Sequence, residues 1–95
     1  MYISSEQILG LFSIFRPNGF SLKDINIASW IIEKKLNMII SNSYISEVIE
    51  RNKELYNFKD DLIIPNKEPF VYKEKLCKGV DEKLMKGLEI AFKEI

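Results

Sequence analysis

Few side chains in this chain are able to do chemistry. Cys77 is the one cysteine and there is no histidine. That excludes a histidine-based triad or general base and leaves too few soft ligands for the usual structural zinc site. Two adjacent acidic pairs, Asp60-Asp61 and Asp81-Glu82, have the side chains that hold magnesium or pass protons. Both border expected helices or strands, where solvated carboxylates are ordinary, so neither is read as a catalytic or metal site. Lys75 and Lys78 flank Cys77 and would lower the pKa of an exposed thiol. Beside Leu76, the expectation is instead an inert, half-buried apolar cysteine. No G-x-x-x-x-G-K-[ST] or G-x-G-x-x-G run is present. The chain is therefore expected not to be an enzyme, with no catalytic residue, cofactor or metal.

The remaining residues must build whatever surface acts. Apolar residues make up 46% of the 95, enough for one core, and a single domain over 1–95 is expected. The 14 basic and 14 acidic residues balance. No segment has the basic excess that marks phosphate binding: residues 1–40 carry four basic and three acidic groups, 41–68 four and six, 69–95 six and five. A lone cysteine points to a reducing, cytoplasmic setting. No run reaches the ~18–20 apolar residues of a membrane span, so no membrane partner is expected. Ile8 to Phe15 has the length of a signal-peptide core, but Glu6 precedes it and Arg16-Pro17-Asn18 follows, so a helix is expected there.

Four helices are expected, making a mostly α (α+β) fold with one short β-hairpin between the third and last helix. Ser4 and Gln7 form a capping box, with Ile3 and Ile8 as a hydrophobic staple. Ile8, Leu11, Phe12 and Phe15 then give an apolar stripe, and Leu9 and Ile14 make the helix apolar on further sides. Ser21 caps the second helix between Phe20 and Ile25. Leu22, Ile25, Ala28, Ile32 and Leu36 share a face that Ile27, Trp30 and Ile31 widen. Residues 37–40 read equally as a helical turn or an extended run. Ser41-Asn42-Ser43 offers caps for a third helix over 43–57, with Ile45, Val48, Ile49, Asn52 and Tyr56 on one face and a Glu47–Arg51 pair on another.

Leu62-Ile63-Ile64 and Phe70-Val71-Tyr72 are short β-type runs around Pro65 to Pro69 and are expected to pair as the hairpin. An octapeptide then repeats. Residues 74–81 and 82–89 agree at five of eight positions, a short tandem duplication. Asp81 is the expected N-cap of the last helix, and Leu84, Leu88, Ala91, Phe92 and Ile95 form its stripe. Gly79 argues for a break before it, and whether helix covers 74–80 stays open.

Two functions fit these features. The first is a small binding or regulatory module that contacts another protein and occludes or recruits it. Tyr2, Tyr44, Tyr56, Tyr72, Phe58 and Phe70 include several aromatics outside the clean core stripes, and tyrosine suits interfaces. The alternative is a DNA-binding regulator. Three helices followed by a hairpin resembles the element order of a winged helix-turn-helix over residues 5–73. That resemblance implies Ser43, Tyr44, Glu47, Arg51 and Lys53 near the major groove and Lys67 at the wing tip. Glu47, Glu50 and Glu54 would oppose phosphates there, and 37–42 is longer than the usual turn. The expected partner or DNA contacts are Tyr44, Arg51, Lys53, Lys67, Phe70 and Tyr72. Self-association as a symmetric dimer would use Leu9, Ile14, Ile90 and Ile95, apolar residues that one core need not cover.

Overall fold

The fold is that of a computed structural model; it describes residues 2–41 and 44–93. Strand β1 (Tyr2–Ser4) leads into α1 (Ser5–Phe15), followed by α2 (Leu22–Lys35), β2 (Ile39–Ser41) and α3 (Ile45–Arg51). A 3-10 turn (Lys53–Leu55), the strands β3 (Tyr56–Lys59) and β4 (Leu62–Pro65), and helices α4 (Pro69–Leu76) and α5 (Glu82–Phe92) complete it. It is mostly α with one antiparallel hairpin, as expected, but with five α-helices among the described residues rather than four.

α1 starts at the expected capping box. The Gln7 amide donates to Ser4 Oγ at 3.1 Å, and the Ser4 amide donates to Gln7 Oε1 at 2.8 Å. Its all-round apolar sequence places it centrally: Ile8, Leu9, Leu11 and Phe12 are buried, and α3, α4 and α5 pack around it. Edge-to-face and tilted ring pairs tie the layers together. Phe12 meets Phe20 at 5.1 Å and Phe92 at 4.5 Å. Tyr56 meets Phe20 at 6.3 Å and Tyr72 at 5.6 Å.

α2 opens on a second capping box, with Asp24 in the role usually given to Glu or Gln. Ile25, Ala28, Ile31 and Ile32 face inward, whereas Ile27 and Trp30 are exposed. The inward face is therefore narrower than expected. Asn37, at φ 53, ends the helix in the left-handed conformation that asparagine tolerates. The chain then extends as β2, parallel to β1, with Ile3 beside Ile40. This settles the open reading of 37–40.

The expected pairing of 62–64 with 70–72 is wrong in its partner. Residues 62–65 are extended and antiparallel, but they pair with 56–59, Phe58 opposite Ile63 and Lys59 opposite Leu62. Residues 70–72 lie in α4. Pro69 occupies the first helical turn, where its missing N–H costs nothing. Tyr72 and Leu76, four apart, then bury against the core. The third helix is shorter than 43–57: it ends at Arg51, a 3-10 turn follows, and Tyr56 already begins β3. Its N-cap is Tyr44, without a side-chain cap bond; the caps expected at Asn42 and Ser43 lie outside the described residues. Arg51 reaches Glu6 at 3.7 Å rather than the Glu47 expected from spacing.

α5 has the expected cap, the Leu84 amide donating to Asp81 Oδ1 at 2.7 Å. Leu88, Ala91 and Phe92 are buried and Leu84 is half-buried. Gly79 takes φ 86 and breaks the chain between α4 and α5, so helix covers 74–76 but not 77–80.

Candidate functional site

Phe20 fastens the start of α2 to the hairpin. Its amide donates to the Ile63 carbonyl at 3.0 Å, and the Ile63 amide returns a bond at 2.7 Å. Gly19 makes that approach possible. It takes φ 120, and a Cβ on it would press to 3.3 Å from Ile64. Glycine alone meets both demands without strain. The Ser21 cap directly follows, so Leu22 and Lys23 emerge beside β4. Strand alternation puts Tyr56 and Phe58 on one face of β3. Tyr56 reaches the core, where its hydroxyl lies 2.6 Å from Ser13 Oγ. Phe58, one pleat nearer the turn, stands past the core's edge.

The result is an open cleft of about 550 Å³ between the first turn of α2, α3 and the hairpin. Ile49 and Ile63 form a buried floor. Leu22, Phe58 and Leu62 form apolar walls that remain 45%, 54% and 42% exposed. Asp60 and Asp61 make the two-residue hairpin turn at one edge, and Ser46 and Lys23 also line the space. Its volume falls within the ~300–1,000 Å³ common for clefts that take a ligand, with an apolar floor and a polar rim. No group of three or more acidic, cysteine or histidine ligands converges anywhere among the described residues.

The residues expected at a partner or DNA surface are dispersed by the fold. Tyr44 is exposed at the start of α3 and Phe70 is exposed on α4. Arg51 pairs with Glu6, and Lys53 pairs with Glu50 at 3.2 Å. Both pairs stand in solvent, where such contacts contribute little. Lys67 is not at the wing tip, which is Asp60-Asp61. It lies in the link from β4 to α4, and its amide donates to the Tyr72 hydroxyl at 3.0 Å. Tyr72 is removed from the contact set altogether: it is 0% exposed, and its hydroxyl donates to the Leu55 carbonyl at 2.6 Å. None of these six lines the cleft.

The residues expected at a dimer contact fare similarly. Leu9 is 0% exposed and is core, Ile14 is half-buried against that core, and Ile90 is exposed on α5. Ile95 lies outside the described residues. Cys77 is more buried than expected, and burial pushes its thiol up to about 11, away from reactivity at neutral pH.

The cleft residues Leu22, Asp60, Asp61 and Leu62 were absent from the expected contacts. The signal lay in two short apolar runs, Tyr56-x-Phe58 and Leu62-Ile63-Ile64, set on either side of the Asp60-Asp61 turn, which pair Phe58 with Ile63 on one face. An acidic pair without glycine masks that turn.

No family model, curated protein or solved structure matches this chain. No helix among the described residues is long and apolar enough to cross a membrane.

Proposed function

We propose that this chain is a non-enzymatic binding module that acts by protein–protein contact, with the cleft between α2, α3 and the hairpin as its contact surface. The carrying observation is the trio Leu22, Phe58 and Leu62, held half-exposed over the buried Ile49 and Ile63. Aromatic and aliphatic walls over a preformed floor are the features of an interface anchor pocket. Seating a partner there would occlude or recruit it.

The DNA-binding alternative has one observation in its favour. The Phe20–Ile63 bridge places a strand position between α1 and α2 beside the hairpin, in keeping with a winged-helix order. The charge on that face argues for protein. Its hairpin turn is a pair of carboxylates, α3 carries Glu47 and Glu50, and Arg51 and Lys53 already meet carboxylates. Affinity for DNA comes chiefly from neutralising phosphates, and the described residues of this face form no cation stripe to do so.

Capture from the native host, with and without nuclease, tests the proposal when run beside a Phe58→Ser/Leu62→Ser variant. Proteins that persist through nuclease and are lost with the variant support it. Loss of all partners on nuclease treatment, or capture indifferent to the variant, contradicts it.

A further inference from the structure

We infer that the cleft takes an apolar segment of a protein partner that carries lysine or arginine at the end lying on the hairpin turn. This rests on the protein-contact proposal and adds the chemistry of the occupant. The charged side chains lining the cleft are Asp60, Asp61 and Lys23. None of the three makes an ion pair among the described residues. The two carboxylates are adjacent at one edge, while Lys23 stands on α2.

Turn geometry does not require those carboxylates. Asp60 takes φ 56, a conformation that asparagine or glycine meets without charge. Both carboxylates are without an ion-pair partner among the described residues, so a cation on the partner would find them available at that edge. The apolar floor and walls supply area, and the acidic edge supplies orientation. A partner segment with cations along its whole length would meet Lys23, so the basic residues belong at one end. Complementary charge of this kind sets register and specificity more than raw affinity.

The probe is a display library of random 12-residue peptides, selected on the whole protein and counter-selected on Phe58→Ser/Leu62→Ser. Cleft-dependent peptides should be enriched in Lys and Arg on one side of an apolar cluster. A recovered peptide should lose about tenfold in affinity for Asp60→Asn/Asp61→Asn, a loss of the size two partly exposed ion pairs account for. Asparagine keeps the turn, so that variant isolates charge, and unchanged thermal unfolding checks it. The charge-dependent part should also fade as salt rises. Cleft-dependent peptides that are neutral or acidic, recovered peptides indifferent to Asp60→Asn/Asp61→Asn, or no cleft-dependent peptide at all would overturn the inference. The protein-contact proposal fails by a separate route, when host proteins are captured equally by the Phe58→Ser/Leu62→Ser variant.

Discussion

Gly10 on α1 packs so closely on the end of α4 that a Cβ there would stand 2.6 Å from Cys77 Sγ and 2.8 Å from Leu76 Cβ. The central helix and α4 thus meet at a glycine. Gly10→Ala should overpack this contact and destabilise the protein by about 1–3 kcal/mol. Adding Cys77→Ala should restore only part of the loss, because Leu76 remains. Urea midpoints of the single and double variants check this, and an unchanged midpoint for Gly10→Ala would be the contrary result.

Burial of Cys77 also makes stability depend on alkaline pH. Its thiol rises from an ordinary 9.0 to about 11 in the fold. Between those values the unfolded chain sheds the proton and the fold retains it. The unfolded state is therefore favoured increasingly as pH rises through that window, and stability falls. Burial raises the Tyr56 phenol as well, from an ordinary 10.0, which adds a further loss above that value. Denaturant unfolding from pH 8 to 11 should show a shallower decline for Cys77→Ser than for the native chain. Superimposable profiles would show that the thiol does not titrate differently in the two states.

The two copies of the octapeptide repeat give a test within one molecule. Gly79 sits at φ 86, whereas Gly87 is helical and a Cβ added to it would meet nothing within 4 Å. Gly87→Ala should stabilise α5 by about 0.5–1 kcal/mol. Gly79→Ala should destabilise, because alanine is strained at positive φ. Thermal unfolding should move in opposite directions for the two, and a common direction would contradict the assigned backbone.

Leu88 is fully buried on the inner face of α5. Leu88→Ala should cost about 2–5 kcal/mol, read as a lower unfolding midpoint. An unaltered midpoint would mean that α5 does not pack on the core.

The legible parts of the fold were those in which local chemistry and burial agree. Ser4-Gln7, Ser21 and Asp81 announce helix starts because short polar side chains satisfy otherwise unpaired amides, and each starts a helix. The misread parts are short apolar runs, where periodicity alone does not separate strand from helix. Phe70-Val71-Tyr72 looks extended until Pro69 and the Tyr72–Leu76 spacing are weighed together. Tyr56 looks helical until Phe58 and the turn after it are seen as its strand. Trp30 shows the same limit for burial: it fits the apolar face of α2, yet it is exposed. The cleft was illegible because it is built from three separate segments, and the Phe20–Ile63 pairing that brings the start of α2 to the hairpin is long-range.

The central claim is that a protein partner seats on Phe58 and Leu62. Site-specific photo-crosslinking in the native host tests it most directly, with the photoreactive residue placed in turn at Phe58, Leu62, Tyr44, Phe70 and Ile90. All five positions are exposed, so each is able to report a neighbour. Protein adducts from Phe58 and Leu62, and none from Phe70 or Ile90, are the predicted result. Adducts confined to Phe70 or Ile90, with none from Phe58 or Leu62, would contradict it.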